Sequence, residues 1–330
     1  MRIITTSKFT LPIVSIAACV LWWFGGSGAT GLYEGISGTA FLPVSDYGLW
    51  AYLPIACVEG LMGQATGLAF AALAVYLMAE LNNTNVLLRV SSRMLSSLLA
   101  VLLTASVFLH VIQPAHVVML LSMLSYFTLF STYQNSDTRI TFLTYLYVSV
   151  ASLVFPKLLL MIPFYWAAQV HFRSLSLRCF CASLVGICLP YWLYGGCAVC
   201  MDSTSVFFEH VNGIVQLEWG DYASVSLQRI LVASFSLLLF LVGTVDFYLK
   251  SYQDKTRTRI IYNVVILFGM AGFLFLALQI DYFDTLFPLV LLPTVIVAGH
   301  HIVLSDTKFT RIYTIVVLVM ALSLVVLGVM

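Results

Sequence analysis

Charge is scarce in this sequence of 330 residues. Asp, Glu, Lys and Arg together make up only 9% of it, against roughly a quarter in an ordinary soluble protein. With 61% apolar residues and a mean hydropathy of +1.01, the composition excludes a soluble globular enzyme, a disordered protein and a secreted disulfide scaffold. The net charge of +1 excludes a protein that binds nucleic acid or another polyanion. The remaining class is a multi-pass membrane protein surrounded by membrane lipids.

Motifs for metals and nucleotides are also missing. The sequence contains no HExxH, no EF-hand loop, and no P-loop or GxGxxG that opens a helix after a strand. Cys197 and Cys200 form the one short CxxC motif, but a second pair of cysteines or histidines to complete a zinc site is lacking. The two cysteines are interpreted as a structural disulfide or as two inert thiols. We predict no metal and no cofactor.

Apolar segments follow one another along almost the whole chain. A spanning helix needs about 20 mostly apolar residues, and the loops left over are too short for a separate soluble domain. We therefore predict one integral membrane domain over residues 1–330, an all-α polytopic helical bundle with about 11 membrane segments. These segments lie near 10–25, 60–80, 94–112, 115–133, 140–155, 157–170, 176–196, 224–249, 260–280, 286–303 and 312–330.

Two stretches do not fit simple counting. The stretch 48–80 is too long for one untilted span and contains Pro54, so we predict a short interfacial helix at 48–58 before the span that starts near Gly60. The stretch 140–170 would run about 46 Å as one helix, yet it is too short for two full spans. Because Pro156 lies at its midpoint, we predict a pair of short helices, 140–155 and 157–170, that meet there.

The basic residues predict the orientation in the membrane. If both ends of the helix pair at 140–170 lie on the same side, 13 of the Lys and Arg residues fall on one face, and only Lys157 and Arg229 fall elsewhere. If the stretch crossed the membrane once, the split would become 6 and 8, with Lys157 inside the membrane. The first arrangement is favoured, so we expect a cytoplasmic N-terminus and a C-terminus outside.

Lys157 and Arg229 are therefore the two informative cations. Each lies near the outer edge of the hydrocarbon, where burying a charge is costly. Such a cation implies a carboxylate partner, an aqueous cavity or an anionic ligand. For Lys157 two further interpretations stay open, namely that it snorkels to the lipid headgroups or that it pairs with an acid of an outer loop.

Several stretches carry a family resemblance. The central run SVASLVFPKLLLMIPF (149–164), followed by HFRSLS (171–176) and LPYW (189–192), resembles a family of uncharacterised multi-pass inner-membrane proteins from Bacteroidetes. The region from Phe287 through His300 and His301 to the last span resembles that family too. The resemblance implies a location in the bacterial inner membrane, and it implies no particular activity.

The central pattern is also similar to the lipid-carrier-dependent, C-type glycosyltransferases. These enzymes carry an acid in the first outer loop, then an interfacial helix, and later two short apolar helices joined at a proline-containing turn. The resemblance implies that Asp46 or Glu34 is the catalytic base and that Lys157 and Arg229 bind the phosphate of a polyprenyl-phosphate-linked sugar. The pair of adjacent acids usual in the first loop of these enzymes is missing here.

Two other functions remain open at this point. A non-enzymatic subunit of a membrane complex, with other membrane proteins as partners, suits the low number of charges within the spans. A transporter or flippase suits the interrupted pair at 140–170, although we find no matching pair in the other half of the sequence.

Overall fold

The computed structural model describes residues 10–35, 60–88, 92–216, 220, 222, 225–304 and 308–329. Over this part of the chain all regular structure is helical, which confirms the all-α prediction. Four short 3₁₀ helices connect or extend the α-helices, at Val107–Leu109, Pro156–Met161, Ser251–Gln253 and Ile280–Tyr282. The α-helices are α1 (Thr10–Gly35), α2 (Gly60–Asn85), α3 (Met94–Ala105), α4 (Pro114–Ser131), α5 (Thr138–Val154), α6 (Ile162–His171), α7 (Leu177–Cys200), α8 (Thr204–Val215), α9 (Leu227–Lys250), α10 (Thr256–Leu278), α11 (Phe283–Leu304) and α12 (Lys308–Val329).

The prediction of 11 membrane segments is wrong in its count. Within the described residues six helices are long and apolar enough to cross a membrane, which is compatible with a membrane-inserted bundle. With 12, 17 and 10 residues, α3, α5 and α6 reach only about 15–26 Å, less than the roughly 30 Å of a bilayer core. The six long helices are Leu61–Asn85, Pro114–Ser131, Leu177–Cys200, Leu227–Gln253, Thr256–Leu278 and Ile280–Leu304.

Two boundaries also differ from the sequence predictions. The segment predicted at 94–112 is helical only to Ala105, after which the chain makes a short 3₁₀ turn before α4. The loop expected at 197–223 contains the amphipathic helix α8. By contrast, α2 begins at Gly60, where the sequence predicted it. The predicted interfacial helix at 48–58 lies outside the described residues.

The interruption at 140–170 is present. Helix α5 ends at Val154, Phe155 is extended with φ −134° and ψ 98°, and Pro156 opens a 3₁₀ helix that leads into α6. Proline cannot donate a backbone hydrogen bond and clashes with the preceding turn, so the α-helix cannot continue through this point. The predicted break at Pro156 is confirmed.

The two arms of this pair run antiparallel. The Tyr145 hydroxyl donates to Gln169 Oε1 across 3.2 Å, and the Tyr145 and Tyr165 ring centroids lie 6.2 Å apart. Residues about ten positions before the break therefore meet residues about ten positions after it. Beyond the helices, the Gln134 N–H donates to the Phe172 carbonyl across 3.1 Å. Both ends of the pair thus lie together, which is the arrangement the sequence favoured.

Helix α11 lies at the centre of the bundle, and α9 packs alongside it in the same direction. Arg229 near the start of α9 pairs with Asp284 at the start of α11, and Asp246 near the end of α9 pairs with His301 near the end of α11. Between these pairs the backbones touch, because a Cβ added at Gly243 would lie 2.9 Å from the carbonyl of Val297. Almost every residue of α11 is buried.

These contacts define two ends of the bundle, about 33 Å apart for a helix of 22 residues. The Lys157 end comprises Pro156–Met161, Ile280–Tyr282 and the first turns of α9 and α11. The His300 end comprises the last turns of α9 and α11 and the turn Ser251–Gln253.

Candidate functional site

The candidate site is built around Lys157, the second residue of the 3₁₀ helix that follows the break. Its side chain is buried, with the residue 4% exposed. Its Nζ donates to Gln279 Oε1 across 2.5 Å and lies 4.1 Å from the centroid of the Tyr282 ring. Because the ammonium is enclosed by protein, the interpretation that Lys157 snorkels to the headgroups is wrong.

The break itself positions this cation. Gln279 caps the end of α10, and Tyr282 lies in the 3₁₀ turn that joins α10 to α11. The Tyr282 ring also packs on Phe155, the residue of the break, with centroids 5.4 Å apart. The extended conformation at Phe155 thus directs the Lys157 side chain towards the amide of Gln279 and the ring of Tyr282. Both of these groups attract a cation.

Arg229 is held by a carboxylate. Its Nε and Nη2 donate to Asp284 Oδ1 and Oδ2, each across 2.8 Å, and its Nη1 donates to Ser226 Oγ across 3.3 Å. The guanidinium carbon also lies 5.7 Å from the centroid of the Phe108 ring. Of the three explanations the sequence offered for this cation, a carboxylate partner is the one observed. A phosphate would have to share or displace Asp284 to reach it.

The structure brings Lys157 and Arg229 to one short segment but does not place the predicted acids with them. Both cations contact residues between Gln279 and Asp284, the link from α10 to α11. Glu34 lies near the end of α1, and its side chain is not among those described. Asp46 lies outside the described residues altogether.

A second cluster at this end was missed by the sequence analysis. His210 on α8 is buried, with the residue 1% exposed, and its ring lies against Tyr191 and Tyr194, at centroid distances of 5.8 and 5.5 Å. The Tyr191 hydroxyl shares a hydrogen bond of 2.9 Å with Ser152 Oγ, just before the break. The helical spacing of His210 and Gly213, the two buried residues of α8, is the signal that could have revealed it.

Helix α8 reaches the break directly. A Cβ added at Gly213 would lie 3.7 Å from Pro156 Cγ, an ordinary van der Waals distance, so this face of α8 lies against the proline. His210 is one helical turn before Gly213 and shares its face. The His210 cluster, which we define as His210, Tyr191, Tyr194 and Ser152, therefore lies beside the same break that positions Lys157.

The His300 end is organised differently. His300 Nε2 lies 3.0 Å from Asp254 Oδ2, and His301 Nδ1 lies 2.9 Å from Asp246 Oδ2. Lys250 also pairs with Asp246. As expected for neighbours on a helix, the two histidines have separate partners. These contacts tie the ends of α9 and α11 to the turn before α10.

Possible ligands for a metal are scattered. Within the described part of the chain no three His, Cys, Asp or Glu side chains lie close enough to hold an ion. Cys197 and Cys200, the CxxC pair in the last turns of α7, are exposed free thiols.

Fold and site together define an all-helical bundle whose long apolar helices suit a membrane and whose described charged side chains are concentrated towards the ends of its helices. No protein-family model, curated protein or solved structure matches the chain.

Proposed function

We propose that the protein is a glycosyltransferase of the bacterial inner membrane that uses a polyprenyl-phosphate-linked sugar at the outer face. The observation that carries the proposal is the buried ammonium of Lys157 beside the break between α5 and α6. An ionisable side chain enclosed at the edge of a membrane bundle is expensive to maintain and characteristically belongs to a functional site.

Lys157 supplies the cation that this reaction needs. The acceptor oxygen attacks the anomeric carbon, the bond from that carbon to the phosphate oxygen breaks, and the polyprenyl phosphate leaves with an additional negative charge. An ammonium in a water-poor environment stabilises that charge much more strongly than it would in water. The proton of the acceptor hydroxyl passes to a carboxylate, for which Asp46 and Glu34 are the candidates.

Arg229 has a positioning role in this proposal. Its two-pronged pair with Asp284 joins the starts of α9 and α11. Asp284 follows Tyr282 by two residues, so the pair fixes the turn whose aromatic ring contacts Lys157. In this arrangement Lys157 contacts the phosphate, and Arg229 holds in place the turn that carries Tyr282.

The test is the glycan and glycolipid profile of a deletion strain complemented with variants. We expect the deletion to lose a glycan or glycolipid and the wild-type chain to restore it. Asp46→Asn keeps the shape of the carboxylate but removes its basicity, so transfer should fall by about 10²–10⁴-fold. Glu34→Gln decides between the two candidate bases, because a fall in transfer with Asp46→Asn alone assigns the base to Asp46 and a fall with Glu34→Gln alone assigns it to Glu34. An unchanged profile in the deletion strain would refute the proposal.

A non-enzymatic subunit of a membrane complex is the second candidate. The observation that favours it is the pairing of charges within the chain, with Arg229 bound by Asp284 and Asp246 bound by Lys250 and His301. Such pairs stabilise a scaffold and need no ligand. Affinity purification of the intact protein from membranes discriminates the two, because a subunit co-purifies with a stoichiometric partner and its deletion destabilises that partner without changing any glycan.

A further inference from the structure

The His210 cluster contains a buried polar ring without a good partner. The backbone of Ser152 lies close enough to His210 to act on its ring, but neither ring nitrogen makes a hydrogen bond of good geometry with any residue that the structure describes. Buried polar groups in folded proteins are nearly always hydrogen-bonded, because leaving one unsatisfied costs about 1–3 kcal/mol. An imidazole has two nitrogens to satisfy, and the Ser152 backbone can serve only one of them, so at least one nitrogen calls for a partner that the described chain does not supply.

Within the described residues, the ring of His210 contacts polar and aromatic groups. Tyr191 and Tyr194 present ring faces and edges to His210, and Tyr191 and Ser152 contribute hydroxyl groups. Burial lowers the pKa of His210 to about 4, an effect that the nearby Ser152 backbone only partly offsets. At neutral pH the imidazole is therefore uncharged, with one nitrogen that donates and one that accepts.

These groups select a class of ligand. A neutral imidazole offers no charge to attract a phosphate, and a purely apolar ligand would leave a ring nitrogen unsatisfied. A sugar has hydroxyl groups that both donate and accept, together with C–H faces that pack on aromatic rings. We infer that the His210 cluster is a binding subsite for a neutral sugar, with His210 and the Tyr191 hydroxyl bonding to the sugar hydroxyls.

The subsite rests on the proposed function, in which it would hold the acceptor sugar. Lys157 lies next to Pro156 in sequence, and α8 packs on Pro156 through Gly213. The break thus separates a cation suited to phosphate from an uncharged cluster suited to hydroxyl groups. This division matches the two halves of a transfer from a lipid phosphate to a sugar.

The inference can be tested by binding alone, without a transfer assay. The full-length protein, labelled at histidine Cε1, is placed in phospholipid nanodiscs, which avoids sugar-based detergents. The six histidines are resolved by NMR, and His210 is assigned with His210→Gln. Glucose, galactose, mannose and N-acetylglucosamine are titrated separately, with inorganic phosphate as the comparison ligand.

We expect at least one sugar to shift the His210 resonance in a saturable way, and phosphate to leave it unchanged. Tyr191→Phe, which keeps the ring and removes only the hydroxyl, should weaken that sugar roughly tenfold, as for the loss of one good hydrogen bond. His171→Gln, at an exposed histidine that ends α6, should bind like wild type.

Two results would overturn the inference. One is a His210 resonance that no sugar moves, and the other is a resonance that responds to phosphate but not to sugars. The outcome is separate from that of the proposed function. Saturable sugar binding combined with an unchanged glycan profile in the deletion strain would leave the subsite standing and refute the transferase.

Discussion

The two ends of the bundle use buried polar side chains in different ways. At the His300 end, each histidine faces a carboxylate from a neighbouring segment, at 3.0 Å for His300 and Asp254 and 2.9 Å for His301 and Asp246. At the Lys157 end, the buried ammonium meets an amide oxygen and an aromatic face, and the buried imidazole of His210 lies among tyrosine rings.

The difference separates polar groups that hold the fold from polar groups suited to ligands. A buried histidine paired with a carboxylate links two segments of the chain. Its hydrogen-bonding groups are largely used within the protein, and few remain for a ligand. The buried imidazole of His210 has no well-formed hydrogen bond within the described residues, and such a group retains the capacity to bind. Arg229 and Asp284 form an ion pair of this structural kind at the Lys157 end. The contrast is therefore between individual side chains and not simply between two halves of the chain.

The largest expected effect concerns the side of the membrane on which each end lies. Reporter fusions after Ser205 should give an external signal, and fusions after Gln253 and Ser305 a cytoplasmic one, because this orientation leaves only Lys157 and Arg229 away from the cytoplasmic face. The measurement is paired alkaline phosphatase and fluorescent protein activity. An external signal after Gln253 would place the Lys157 end on the wrong side for the proposed donor.

The next largest effect is at the His300 end. Asp254→Ala removes the carboxylate that faces His300 and should lower the free energy of unfolding by about 3 kcal/mol, because one partner of a buried pair is left behind. The measurement is thermal or denaturant unfolding in nanodiscs. Glu209→Ala, at an exposed carboxylate on α8, is the control and should change stability by no more than about 0.5 kcal/mol. Equal stability of the two variants would mean that the contact between Asp254 and His300 does not stabilise the fold.

A smaller effect is expected between the two ends. Gly243→Ala places a Cβ 2.9 Å from the Val297 carbonyl, which forces α9 away from α11 and should cost about 1–3 kcal/mol. Gly196→Ala is the matched control, since a Cβ there meets nothing within 4 Å. If Gly243→Ala unfolded no more easily than Gly196→Ala, the close packing of α9 on α11 would be wrong.

The smallest effect concerns the ion pair between Arg229 and Asp284 at the Lys157 end. A double-mutant cycle with Arg229→Met and Asp284→Asn should give a coupling free energy of about 1 kcal/mol, because the pair has two-pronged geometry but is partly exposed. Unfolding of the two single variants and the double variant measures it. If Arg229→Met left stability unchanged while it abolished transfer, Arg229 would be a phosphate ligand and not a positioning residue.

The sequence predicted the parts of the fold that have a local cause. Proline at position 156 stops a helix wherever it occurs in such a run, and the distribution of basic residues favoured the returning pair over a single crossing. The end of α3 at Ala105 has no such signal, because Val107, Phe108 and Leu109 are as apolar as the helix before them. The chain after Ala105 makes a contact with a distant helix instead, because the His110 carbonyl accepts a hydrogen bond from Trp22 Nε1 across 3.1 Å.

The candidate site was predictable only in part for the same reason. Lys157 stood out because a cation is conspicuous in an apolar run. Its neighbours Gln279 and Tyr282 lie more than a hundred positions away, and nothing local connects them to the break. The burial of His210 depends on α8 packing against Pro156, which is a long-range contact that no local pattern predicts.

The most direct test of the account compares activity and stability for one substitution, Lys157→Met. Methionine fills a similar volume without the charge, and it leaves Gln279 Oε1 without the hydrogen bond from Lys157, at a cost of about 1–3 kcal/mol. We expect the variant to stay folded in nanodiscs, with a free energy of unfolding lowered by about 1–3 kcal/mol, while complementation of the deletion strain falls by about 10²–10³-fold in glycan transfer. Lys255→Met, at an exposed lysine near the His300 end, should leave both unchanged. Full transfer by Lys157→Met, or a loss of transfer that simply follows loss of folding, would contradict the account.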